Sequence, residues 1–377
     1  LMGAKWKALL VEGHLEALGT KTEPVTFTSA LDTGSGQWGG LAFDGSAAFS
    51  TSGGTGHLRY ATVRYAGNRN DVTDALVGPH DHSNLTVRNG SLRLENVVVR
   101  DIATGDYDYG IIAGNSHLII SDTIFTGIGN GDSRDVAIRL QGTETVLEIS
   151  GCTFTGNTSD RVWLEPGAMM GHDTVLAAQP ALEGYELRGD FTVPPTVTLT
   201  VEPGVTLMGA HNGELLVRGH LEALGTETQP ITFTSAADTG ASQWAGIVFD
   251  GSGALTTSGS HGAGTGHLRH ATVRYGGQGN SVLAASGDYH SGSNITVNGV
   301  LTGEVRLEHV TLASEYHWDG WHTFGDHGLY VSDSNVVVAD AIIEDNGDAG
   351  SDDSGVYVTG NSTVWIEDSL IQSNDAP

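Results

Sequence analysis

The stretch GHLEALGTKTEPVTFTS, Gly13 to Ser29, is written a second time as GHLEALGTETQPITFTS, Gly219 to Ser235. The match runs on through QWGGLAFDGS (Gln37 to Ser46) and QWAGIVFDGS (Gln243 to Ser252), then TGHLRYATVRY (Thr55 to Tyr65) and TGHLRHATVRY (Thr265 to Tyr275). NLTV at Asn84 returns as NITV at Asn294. The chain therefore carries a duplicated module of roughly 210 residues, and a duplication of that size invites a search for a shorter period inside it.

Four segments supply that period: Gly110 to Phe125, Ala137 to Phe154, Gly328 to Ile343 and Gly355 to Ile371. Each reads as two short strands and a turn, with apolar and polar residues alternating, β-branched types enriched, and Gly, Asn, Asp or Ser between the runs. Within a pair they recur about every 27 residues, too far apart for hairpins and suited to one turn of a solenoid. No useful length of chain shows the helical i, i+3, i+4, i+7 pattern. A strand-turn-strand unit cannot bury its apolar face alone, so successive units must stack in parallel. The expected fold is all-β: a right-handed parallel β-helix, two tandem modules on one rod. Residues 1–159 would form the first module, 160–195 the junction and 196–377 the second module.

The run TLTVEPGVTLMG (Thr198 to Gly209), followed by LLVRGHLEALGTETQPITFTS and WAGIVFDG, resembles the module opening of the right-handed parallel β-helix proteins of bacterial cell surfaces, within the wider pectin-lyase-like fold. The resemblance covers nearly the whole chain and is weakest from Asp160 to Pro195. It implies an extracellular or cell-surface location, but such proteins include polysaccharide lyases and hydrolases, adhesins and stalks, so the fold names no function. Leu1 aligns with Leu207 and Asn374 with Asn157, both inside a module; the expectation is a segment of a longer repeat array, with further copies or neighbouring subunits as partners.

Forty-five Asp and Glu face 17 Lys and Arg, a formal net charge of −28. Nucleic acid and anionic lipid are poor partners for such a field. No transmembrane run or signal peptide occurs, so this segment is not expected to insert into a membrane. Fifty-four glycines suit the corners of a solenoid. Cys152 is the only cysteine; it excludes a disulfide framework and reads as a small core or corner residue. Trp38 and Trp244 recur in QWGG and QWAG and read as core residues of the module.

The catalytic set of the pectin-cleaving enzymes on this fold is not matched. Asp352 and Asp353 are adjacent, but Gly171-His172-Asp173 lies on the wrong side of them and no lysine follows Lys21. The enzyme alternative, a polysaccharide lyase or glycoside hydrolase, would rest on loop carboxylates such as Asp319 and Asp326. No cofactor is required. The turn DNGDAGSDDSG gathers Asp345, Asp348, Asp352 and Asp353, hard oxygen donors of the type calcium takes, without EF-hand order.

SEYHWDGWHTFGDHG (Ser314 to Gly328) replaces the shorter DIATGDYDYG (Asp101 to Gly110) of the first module. Exposed aromatics on a loop suit the flat faces of sugar rings, so Trp318 and Trp321, with Tyr316, His317 and His290 at the edge, are the expected site for a neutral glycan. The same indoles would equally form a satellite core over the rod, and His317, His322 and His327 with Asp319 or Asp326 could hold a transition metal. Sequons at Asn84, Asn89, Asn157, Asn294 and Asn361 are explained by turns or by amides stacked along the rod. Thr pairs such as VTFTS raise an ice-binding face, for which too few rungs carry outward Thr. The expected function is a non-catalytic structural segment of a large extracellular protein: a stalk, adhesin or filament building block, with weak glycan binding.

Overall fold

The computed structural model describes the chain except residues 6, 47–52, 77–80, 106, 241–242, 253–262, 283–291, 315–325, 348–353 and 375–377, and the side chains of Asp74, Asp81 and Asp326. The described residues form short strands almost throughout, beside a six-residue helix, Asp71–Leu76, whose first turn is capped where Asn70 Oδ1 accepts from the Thr73 amide at 2.8 Å. Close contacts divide the chain into two compact units, Leu1–Met169 with Gln179–Gly184, and Met170–Ala178 with Tyr185–Pro377.

The first unit is a stack of rungs whose strands pair in parallel in three sheets. One contains Leu9–Val11, Leu41–Asp44, Asp81–Arg88, Tyr107–Gly114, Val136–Gln141 and Arg161–Leu164, in a register that places Leu9, Leu41, Leu85, Ile111, Ile138 and Val162 in one column. The second, His14–Leu18 through Val146–Ser150, aligns Ala17, Leu58, Leu94, Ile120 and Ile149. The third aligns Phe27, Val63, Val99, Phe125 and Phe154. Alternate residues on each strand face inward and are buried, which is the period of two seen in the sequence. Ile111 lies 26 positions after Leu85 and 27 before Ile138, so the shorter period is one rung.

The second unit repeats the plan. One sheet runs from Thr174–Leu176 through Thr198–Val201 and His220–Leu224 to Thr363–Glu367. Another aligns Tyr185, Leu207, Phe233, Val273, Leu312 and Ile343, and a third aligns Leu215, Ile247, Ile295 and Leu329. The fold is a parallel β-helix in each unit. In the middle sheet Thr206, Thr232, Thr272 and Thr311 share one partly exposed column on four consecutive rungs, more than the sequence suggested. The neighbouring column reads Met208, Thr234, Arg274 and Ala313, so no flat two-column array of Thr forms.

The duplicated motifs serve as wedges. Trp38 and Trp244 are fully buried, and each indole Nε1 donates to a backbone oxygen, of Arg64 and Arg274, at 2.9 Å. Gly3 and Gly209 make room for them: a Cβ there would lie 2.4 and 2.3 Å from the ring. Gly56 and Gly266 play the same part under Phe43 and Phe249, where a Cβ would come within 2.4 Å. At inner corners, asparagine amides link the rungs: Asn294 Nδ2 donates to Asn346 Oδ1 at 2.7 Å, and Asn346 Nδ2 to Asn374 Oδ1 at 2.8 Å. Asn84 is also buried, donating to Arg100 O and accepting from the Ala66 amide. The aligned sequons at Asn84 and Asn294 are thus internal struts.

Candidate functional site

The glycan residues expected from the sequence, Trp318, Trp321, Tyr316, His317 and His290, lie outside the described residues, as do His322 and Asp319. The side chain of Asp326 does too. Of the expected calcium ligands, Asp348, Asp352 and Asp353 lie outside; Asp345 is an exposed corner residue with φ 54°. His327, at the end of the long loop, is buried in a strand, shares a hydrogen bond with Ser354 Oγ at 2.9 Å and stacks on Tyr357 at 4.9 Å. Cys152 is fully buried, with its thiol near the Ser150 and Ile120 carbonyls, and burial pushes its pKa up to about 11.

The perturbed carboxylates are mostly tied into arginine pairs, and the pairs recur between modules. Asp32 takes a hydrogen bond from Thr28 and a two-point contact from Arg64 (3.0 and 2.6 Å); these hold it below the usual carboxylate range. Asp238 repeats that arrangement with Thr234 and with Arg274 at 2.9 and 2.6 Å. Burial pushes Asp44 upward, but bonds from Arg88 and Ser46 outweigh it and the net shift is down. Asp250, aligned with Asp44, is likewise lowered against its own burial by Ser252 and Arg218. Its arginine comes from the preceding rung, whereas Arg88 comes from the following one. Asp160 is the exception: burial raises it, although Asn157 donates to it at 2.6 Å.

One described cleft was not among the sites expected from the sequence, although several of its residues belong to the duplicated motifs. It lies in the second unit, has a volume of about 390 Å³, and is lined by Thr226, Glu227, Arg269, His270, Glu308, His309 and Asp340. His270, His309 and Asp340 occupy the same corner of three successive rungs, all with positive φ (45°, 51° and 52°). The two imidazoles stack face to face, centroids 4.5 Å apart and planes 2° from parallel, and His309 Nε2 lies 3.9 Å from Asp340 Oδ2. Glu308 is lowered despite burial because His267 and Arg306 hold it. The first module has Lys21, Tyr60 and Asn96 where this corner has Glu227, His270 and His309. The signal was present in GTKT against GTET, GHLRY against GHLRH, and RLEN against RLEH, single substitutions that stand out less than the long loop from Ser314 to Gly328.

Stacked parallel rungs with an apolar column inside define a β-helix scaffold. A family described as pectate-lyase-like β-helix domain matches residues 168–288. No curated protein and no solved structure gave a match. Among the described residues no helix is long and apolar enough to cross a membrane.

Proposed function

We propose that the chain is a non-catalytic structural segment of a large bacterial extracellular or cell-surface protein, a stalk, adhesin or filament building block that associates with further copies of its module. The carrying observation is the use made of the acids. Asp32, Asp44, Asp238 and Asp250 recur between the modules, and each is bound to an arginine that joins neighbouring rungs. A carboxylate held ionised by an arginine clamp, as Asp32, Asp44 and Asp250 are, is poorly suited to donate or accept a proton near neutral pH. Weak binding of a neutral glycan at Trp318 and Trp321, with Tyr316, His317 and His290, belongs to the same reading, as does calcium at Asp345, Asp348, Asp352 and Asp353; many weak sites on one fibre would act together.

The second reading is a polysaccharide lyase or glycoside hydrolase using Asp319 and Asp326; the family match over residues 168–288 supports its scaffold and does not reach those two carboxylates. Incubation of the purified chain with a panel of neutral and acidic polysaccharides separates the two. The structural reading expects no new reducing ends or unsaturated sugars above background. Release of either, abolished by Asp319→Asn with Asp326→Asn, would establish the enzyme instead.

A further inference from the structure

We propose that the corner formed by Glu227, His270, His309 and Asp340 binds a divalent transition-metal ion of the zinc class. The inference stands on the second unit alone and does not depend on the structural reading of the scaffold. Its first ground is the direction of change between the modules. At one corner of the same fold, a lysine has become a carboxylate (Lys21 to Glu227), and a tyrosine and an asparagine have become histidines (Tyr60 to His270, Asn96 to His309). A cation is lost, and one carboxylate and two imidazoles are gained. That donor set suits borderline ions such as Zn²⁺, Ni²⁺ or Cu²⁺ better than calcium, which takes oxygen ligands.

The rung register supplies a second ground. Corner positions with positive φ suit short polar residues whose side chains bond locally, and Asn96, Asp122, Asp340 and Asp368 fill them here. Histidine is also enriched at positive φ, so the turn admits His270 and His309 and does not by itself point to a ligand. The rung repeat then brings the two rings into register, 4.5 Å apart, with a carboxylate on the next rung.

As they stand, no three histidine, cysteine or carboxylate side chains among the described residues are placed to hold a metal ion, this corner included. With the ring planes 2° from parallel the nitrogen lone pairs lie in separate parallel planes, so binding requires the imidazoles to leave the stack and tilt inward. Both movable partners of the closest contact have room, since the side chains of His309 and Asp340 are 47% and 53% exposed. Their 3.9 Å separation compares with about 3.3 Å across a tetrahedral ion with bonds of roughly 2.0–2.1 Å. An anion is the poorer occupant: Arg269 faces three carboxylates, Glu227, Glu308 and Asp340, in a chain of net charge −28.

The test is calorimetric titration of the whole chain with ZnCl₂ at pH 7.5, beside Cu²⁺ electron paramagnetic resonance to count nitrogen ligands. The comparison variant is His270→Tyr with His309→Asn, which installs the residues the first module carries at the same corners, where Tyr60 has φ 44° and Asn96 φ 53°. A second, Asp340→Asn, keeps a residue suited to positive φ. The wild type should show a binding event with two imidazole nitrogens, lost in the double variant and weakened in Asp340→Asn, with thermal unfolding of the metal-free proteins unchanged. Equal titrations for wild type and both variants, a copper spectrum without two imidazole nitrogens, or no heat from the wild type would overturn the proposal.

Discussion

At the scale of single residues, the chain uses its ionisable groups chiefly as fasteners, and this has consequences for acid stability. Asp44 and Asp250 are held below the ordinary carboxylate value in the folded state, so each adds stability that is present above the unfolded pKa of about 3.9. That contribution is lost as pH falls through the lower folded value. Denaturant unfolding from pH 7 to pH 2 should therefore show the wild type losing stability below about pH 4, and Asp44→Asn with Asp250→Asn losing less over that interval. Parallel curves would show that the clamps carry no proton linkage. Cys152 gives a sharper check. With its thiol buried and its pKa near 11, it should react with a disulfide reagent at pH 8 only when the protein is unfolded. Rapid labelling of the native chain would contradict its place in the core.

Strands were legible in the sequence because a buried face forces strict alternation: LRLEN and VRLEH read the same way on the page and in the sheet, with Leu92 and Leu94 inward and Arg93 and Glu95 outward. Corners were harder. Positive φ falls on Tyr60 and His270 as well as on Asn and Asp, because stacking between rungs fixes the turn once neighbouring rungs hold it, and such residues carry no turn signature. The two histidines stand out singly when the modules are aligned, but their pairing does not: it exists only through a register joining positions 39 apart, from 270 to 309. The aligned sequons, read as turn residues or stacked amides, place Asn84 and Asn294 inside the fold, although Asn-x-Thr itself says nothing about burial. At the element scale the amide struts should be costly to remove. Asn346→Ala would strip the acceptor from buried Asn294 and should cost about 1–3 kcal/mol. Exposed Asn361→Ala should fall within about 0.5 kcal/mol of wild type. Equal effects in urea titrations would deny the struts a stabilising role.

The whole chain is governed by charge imbalance. With 45 acidic and 17 basic residues, even complete pairing of every arginine and lysine leaves 28 carboxylates whose mutual repulsion opposes the compact state. Salt acts on two terms of opposite sign. It weakens the arginine clamps, but those are short-range and partly sheltered, as in Asp44–Arg88, where the side chains are 11% and 25% exposed. Repulsion among exposed carboxylates acts over longer distances and is screened more strongly, the Debye length falling from about 30 Å at 0.01 M to about 8 Å at 0.15 M salt. Repulsion should win, so the unfolding temperature should rise when NaCl is raised from about 0.01 to 0.15 M. A fall would mean that the clamps dominate. Calcium can then be separated from screening by adding CaCl₂ or MgCl₂ at one fixed ionic strength. If Asp345 and its neighbouring acids chelate calcium, CaCl₂ should raise the unfolding temperature further than MgCl₂, which demands a smaller, near-octahedral site. That excess should vanish in Asp345→Asn with Asp348→Asn, and identical curves for the two salts would leave the acidic turn a solvated corner.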